Sequence, residues 1–150
     1  DRLRSRGLGD VYKRQGYDYI LMDSPAGLGE GFRLACCAAD RAVVVSTTDA
    51  SALRDAQRTV SVLRNRIPRI HLVVNRVQPR LLRRLHTTID DAMDAAGLPL
   101  LGIVPEDPQV MLCANQGQPL ILRASRGAAV AYLNIAKRLL GQKAPLMKMR

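Results

Sequence analysis

Residues 17–27 read YDYILMDSPAG: an apolar run of strand length, β-branched and aromatic, that carries an acid at its end, Asp23, and breaks at once into Ser24-Pro25-Ala26-Gly27. In an open parallel sheet the ligand crevice lies beyond the carboxyl ends of the strands. An Asp at that point is placed to hold a metal-bound water beside a phosphate. The same residues also read as an Asp opening a proline turn, and so short a motif leaves both readings standing.

Working outward, the chain alternates apolar strands with amphipathic helices. Residues 29–39 predict a short helix and 41–47 (RAVVVST) a second, buried strand. Ser51 is the expected cap of a helix with Leu53, Ala56, Val60 and Leu63 at helical spacing. Residues 71–77 (HLVVNRV) predict a third strand, closed by Gln78-Pro79. Thr88 with Asp91 makes a capping-box start for a helix burying Ile89, Ala92, Met93 and Ala96, which Gly97 stops. Residues 98–104 (LPLLGIV) predict a fourth strand, and Asp107 and Pro108 the N-cap and first position of a helix that Gly117 ends. A short extended piece at 119–122 leads to a last helix over 125–140, with Lys137 and Arg138 in its final turn. This order predicts an α/β fold whose mostly parallel sheet is covered by helices on both faces, with right-handed crossovers.

Composition agrees and excludes some functions. The 150 residues are 47% hydrophobic but only 3% aromatic, with no Trp and one Phe, so one domain with a core of Leu, Val, Ile and Ala is expected. That scarcity argues against binding single strands by stacked bases. The net charge of +10 sits mostly at the ends: residues 1–15 carry five basic and two acidic groups, and residues 137–150 five basic and none acidic. A nearly neutral body with basic ends favours contact with an anionic surface through a tail over a DNA-reading face, and solvated ends are the plainer reading. Cys36, Cys37 and Cys113 fit neither zinc spacing nor a disulfide framework and read as small core residues of a reducing cytosol. His71 and His86 show no metal-ligand spacing. Residues 1–15 change composition abruptly at Gly16 and are expected to be a non-native leader outside the fold.

The set YDYILMDSPAG, ADRAVVVSTTDASALRDAQR, VVNRVQP, IDDAMDAAGLPLLGIVPED and NQGQPLIL resembles, in that order over residues 16–142, the MinD family of septum-site-determining ATPases, deviant-Walker relatives of ParA. The resemblance implies a partial Rossmann-like P-loop NTPase fold. It implies ATP and Mg²⁺ as cofactors: Asp23 matches the Walker B acid that holds Mg²⁺ through water, and the backbone of Ser24 to Gly27 a switch beside the γ-phosphate. Asn75 matches the adenine reader, an amide that both donates to and accepts from a base edge. Arg76 would pack near the base, and Pro105, Glu106 and Asp107 would close the purine pocket, largely through backbone groups. Arg54 and Asp55 match a helix near the dimer and partner surface. Thr48-Asp49 departs from the Pro-Glu usual there, which affects the shape of the partner loop.

What the resemblance implies for the whole protein is a cytoplasmic ATPase, peripheral on the inner face of the cell membrane. It would dimerise around ATP, recruit a MinC-like division inhibitor and be released by a MinE-like topological-specificity partner. No nucleic acid is expected. Residues 143–150 resemble the start of a linker to an amphipathic membrane helix. No G-x-x-x-x-G-K-[ST] loop or lysine-rich variant occurs, so the expectation is a carboxyl-terminal part that does not hydrolyse ATP alone and would leave a sheet edge bare. Two rivals remain: a ParA-type or flagellar-number ATPase, and a non-catalytic interaction module working through Arg54, Asp55 and its helix faces.

Overall fold

The computed structural model describes residues 16–25 and 27–147. The expected leader 1–15, Ala26 of the proline turn and residues 148–150 of the expected linker lie outside the described residues. The chain divides into two compact units, one taking in the described residues up to Ala42 with Arg58–Ile70, the other Val43–Gln57 with the described residues from His71.

In the first unit, α1 (Glu30–Ala38) buries Phe32 and Cys36 and carries Glu30 in its first turn, where the helix dipole favours an acid. Burial pushes the Cys36 thiol up, against the opposing charge of Arg66, as befits an inert core group. Val60, Leu63, Ile67 and Ile70 are buried in the same unit.

The expected strand over 17–23 is not formed. Residues 17–25 pair in no sheet, and Tyr17, Tyr19 and Met22 are exposed, with Leu21 91% open. The pattern was that of a buried parallel strand. Such a strand holds only against neighbours that take up its backbone groups and layers that cover both faces. Among the described residues the sheet has three strands, and this segment is not one of them.

The sheet orders β1 (Arg41–Ser46), β2 (Arg69–Val77) and β3 (Leu100–Pro105) with β2 in the centre, and it is parallel. β2 and β3 pair Leu72 with Leu100, Val73 with Gly102, Val74 with Ile103 and Val77 with Pro105, with irregular steps between. β1 alternates: Val44 and Ser46 are buried, while Val43 and Val45 are exposed. It was expected to be buried throughout. One of its faces is uncovered, so the period-2 pleat shows.

α6 (Ala128–Leu139) packs on β3. Val73, Leu101, Val104, Ala128 and Ala131 form a buried cluster flanked by Val110, Leu120, Ile135 and Leu139. Small residues on α6 and Gly102 on β3 let the two backbones approach. A Cβ on Gly102 would overlap Ile135 Cγ1.

Helix starts follow cap chemistry, with three corrections. α2 (Ala50–Leu63) is capped by Asp49, not Ser51. Asp49 Oδ1 accepts from the Ala52 N–H at 3.0 Å and the Ser51 hydroxyl at 2.7 Å, and Oδ2 from the Thr47 hydroxyl. An ionised Asp accepts without competing for a proton, so it outbids the hydroxyl two residues on. A helix α3 (Pro79–Leu85) begins where only a break was expected, with Pro at its first position and His86 closing it at φ 51. The extended piece at 119–122 is a 3₁₀ turn, Leu120–Leu122, and the last helix starts at Ala128 after Gly127 instead of at Ser125. α4 (Ile89–Ala96), with its Thr88–Asp91 capping box and Gly97 stop, and α5 (Pro108–Asn115), capped by Asp107, are as expected.

The hydrogen bonds from Thr47, Ser51 and the Ala52 amide hold the Asp49 carboxyl well below the usual carboxylate range. Its stabilisation is therefore complete above about pH 4, where the unfolded side chain is ionised, and is lost on acidification as the folded carboxylate takes up its proton. Asp49→Ala is expected to cost about 1 kcal/mol at pH 7. Thermal unfolding from pH 7 down to 2 should show the gap to the unsubstituted chain closing below about pH 4; a gap that persists in acid would refute the cap.

Candidate functional site

In a parallel sheet the carboxyl ends of all strands share one edge, and in the second unit that edge gathers half of the expected residues. β1 ends at Ser46, β2 at Asn75-Arg76-Val77 and β3 at Pro105, followed by Glu106 and Asp107. The Glu106 N–H donates to the Val77 carbonyl at 3.0 Å, which carries the ladder one step past β3 and fixes the turn against β2.

An ion pair locks this corner. Arg76 Nε lies 3.0 Å from Glu106 Oε2, and Nη2 donates to Oε1 at 3.5 Å. The Arg76 side chain is 68% exposed and that of Glu106 36%. The pair therefore adds little to stability, about 0–1 kcal/mol. Its effect is geometric: two-point contact holds the guanidinium plane in one orientation. Arg76 adopts φ 54, a left-handed backbone unusual for a side chain of this size. Beside it Asn75 Oδ1 accepts the Arg76 N–H at 2.9 Å, leaving the amide NH₂ to donate outward. A donor edge next to a flat, fixed cation suits a planar heteroaromatic ring.

Asp107 caps α5 as expected and makes a second contact besides. Oδ1 caps α5 through the Gln109 N–H at 3.0 Å, and Oδ2 accepts the Ala128 N–H at 3.0 Å, in the first turn of α6. Both oxygens serve helix N-termini, so the side chain is part of the frame of the turn. The first contact was legible from Asp-Pro. The second links residues 21 apart in sequence and has no local signal.

The remaining candidates lie on other elements. Arg54 and Asp55 are exposed on the second turn of α2. Asp23, Ser24 and Gly27 belong to the first unit; they are exposed, with Ser24 Oγ donating to the Pro25 carbonyl at 3.4 Å and Gly27 at φ 87. Asp23 thus ends no strand here, because the strand that was to present it is not formed. Among the described residues no group of three His, Cys, Asp or Glu could hold a metal ion.

No protein-family model matches the sequence. The septum site-determining protein MinD of Bacillus subtilis is 39% identical over 136 residues, covering 89% of this chain and 51% of the relative. MinD of Helicobacter pylori is 38% identical over 139 residues, 87% of this chain and 52% of the relative. The chain thus spans about half the length of the curated relatives it matches. Among solved structures, the MinD cell division protein of Aquifex aeolicus superposes with a TM-score of 0.91 at 32% identity, covering 99% of this chain and 64% of that one. The MinC:MinD complex from the same organism gives 0.90 at 31%, covering 99% and 62%. MinD of Pyrococcus horikoshii, complexed with Mg-ADP, gives 0.75 at 26%, covering 90% and 56%.

Proposed function

The chain is MinD-like in sequence and in fold, and on that premise we propose that it supplies the base-recognition and partner-facing part of an ATPase that acts in placing the division septum. The observation that carries this reading is the superposition on Aquifex aeolicus MinD over 99% of the chain. The Asn75–Arg76–Glu106 corner fits the chemistry it requires.

In this reading the Asn75 amide meets the edge of adenine, and Arg76, oriented by Glu106, lies against the ring. Pro105 and Glu106 close the pocket, and Asp107 keeps the turn in place. Nucleotide and Mg²⁺ use accords with the Mg-ADP complex of the Pyrococcus relative. Asp23 would be the carboxylate that holds Mg²⁺ through water, together with the bound nucleotide, since a lone exposed Asp is too little to bind the ion alone. Ser24 and Gly27 would follow the γ-phosphate. When bound, the nucleotide and its metal supply the phosphoryl group and the charge that offsets its transfer.

Arg54 and Asp55 on the exposed turn of α2 form the partner surface. The Aquifex MinC:MinD complex supports a MinC-like inhibitor as one partner, alongside an ATP-state homodimer and a MinE-like protein. The location proposed is the cytoplasm, peripheral on the inner membrane face. Among the described residues no helix is long and apolar enough to cross a membrane.

Nitrogen–proton NMR of the chain, titrated with Mg-ATP, Mg-GTP and adenosine, tests the base site. ATP and adenosine should shift the Asn75 and Glu106 amides to saturation while GTP does not. Asn75→Ala should weaken adenosine by about tenfold. Equal responses to GTP, or none to either nucleotide, would remove the adenine assignment.

A further inference from the structure

The opposite edge of the same sheet holds a second feature that the nucleotide reading does not use. At the amino-terminal ends of β2 and β3 an open cleft of about 530 Å³ is lined by His71, Leu100, Leu101, Arg138, Lys143 and Pro145 among others. Its volume lies within the range of small-molecule sites. Its outer wall is the segment after α6, tied back by Asn134 Nδ2 to the Pro145 carbonyl at 3.1 Å and by the Gln142 N–H to the Lys137 carbonyl at 2.9 Å.

Arg138 is its centre. Nη1 donates to the Ala144 carbonyl at 3.2 Å and Nη2 to the Leu100 carbonyl at 3.1 Å, so the guanidinium is pinned between the wall and the floor of the cleft, half-buried. These are neutral acceptors. They use two of its five N–H donors, and among the described residues no anion meets its charge. No acidic residue lines the cleft, and the sequence from Pro108 to Arg150 contains no Asp or Glu at all. Lys143 adds a second cation, and Leu100, Leu101 and Pro145 add apolar surface. A cleft with charges of one sign and low-dielectric walls concentrates the opposite charge, and a guanidinium already held rigid loses little freedom on binding an oxyanion.

We propose that this cleft is a binding site for a small organic oxyanion, a phosphate ester or carboxylate with a short apolar body. Arg138 is its fixed anchor and Lys143 its second charge. The site lies at the edge of the sheet opposite Asn75 and Glu106, so its ligand is separate from the nucleotide, and the proposal stands without that reading.

The test is a titration of the whole chain at constant ionic strength with inorganic phosphate, propyl phosphate and butyrate. The readouts are the Arg138 side-chain Nε–H and the Leu100 and Leu101 amide resonances. Saturable shifts are expected, with propyl phosphate binding more tightly than inorganic phosphate because its alkyl chain also covers the leucines. Lys143→Gln, an exposed change that leaves the strap intact, should raise Kd about three- to tenfold; Arg138→Gln should abolish saturation. Shifts that chloride reproduces, or a Kd unmoved in Lys143→Gln, would overturn the site. Inorganic phosphate binding as tightly as the ester would overturn the organic ligand.

Discussion

Gly102→Val is expected to be severely destabilising. The Cβ of even an alanine at this position would overlap Ile135 Cγ1, close to the helix backbone, where a β-branched side chain has little freedom to turn away. Overpacking of this kind costs about 1–3 kcal/mol for a methyl group, so Gly102→Ala should fall in that range and Gly102→Val above it. The change forces α6 away from β3 and opens the Val73–Leu101–Val104–Ala128–Ala131 cluster. Urea unfolding followed by circular dichroism measures the loss. Trimming the opposing side chain discriminates the cause: Gly102→Ala combined with Ile135→Ala should be more stable than the sum of the two losses by about 1 kcal/mol, because the two atoms no longer compete for one space. Additive losses would mean that the close approach of helix and strand does not govern this position.

Gly102 also shows where sequence reading stops. LPLLGIV announces an apolar strand, and nothing within the run says why a glycine stands in it. Why glycine stands there depends on Ile135, 33 residues later on another element. The same division runs through the chain. Local chemistry was readable: the Thr88–Asp91 box, Gly97 and Asp107-Pro108 all hold. Where two polar residues competed for one task, as Asp49 and Ser51 did for the α2 cap, charge decided and the reading chose the weaker acceptor. Helix α3 carries little signal of its own, because PRLLRRL is only 7 residues long and its proline reads as a stop as readily as a first position.

The stretch that suggested the fold class is the one the structure does not build as a strand. YDYILMD has the composition of a buried strand, but strand identity depends on neighbours, and composition cannot say whether they are present. The fold class survived because it rested on several elements in order, and β1, β2 and β3 with their helices carry it. The candidate site divides in the same way. Asn75, Arg76 and Glu106 meet because parallel strands end at one edge, which the order of elements implied. The Arg76–Glu106 pairing itself crosses 30 residues and had no local signal.

Asp107→Ala is the second large effect expected, and it bears on both fold and site. The substitution removes the cap of α5, worth about 1 kcal/mol, and leaves the Ala128 N–H without its acceptor in a residue that is fully buried, at about 1–3 kcal/mol more. A total loss of about 2–4 kcal/mol follows for one surface-adjacent carboxylate. Asp107→Asn separates the two contacts. Its carbonyl oxygen can serve one helix, but its NH₂ then faces the other helix's N–H, donor against donor, so it should recover only about the cap. Gly127 supplies an independent check. It sits at φ 61 and ψ −134, and a Cβ there would overlap Asp107 Oδ2. Gly127→Ala should therefore cost more in the unsubstituted chain than in the Asp107→Ala background, where only the backbone strain of about 1–2 kcal/mol remains. If Asp107→Asn were as stable as the unsubstituted chain, the bridge between the two helix starts would carry no energy, and the turn of Pro105 and Glu106 would have to be held by the Glu106–Val77 ladder bond alone. If the losses appear as expected, the turn that closes the candidate base pocket is fixed from behind by the same carboxylate that starts two helices. Adenosine affinity should then fall in Asp107→Ala together with stability and recover partly in Asp107→Asn.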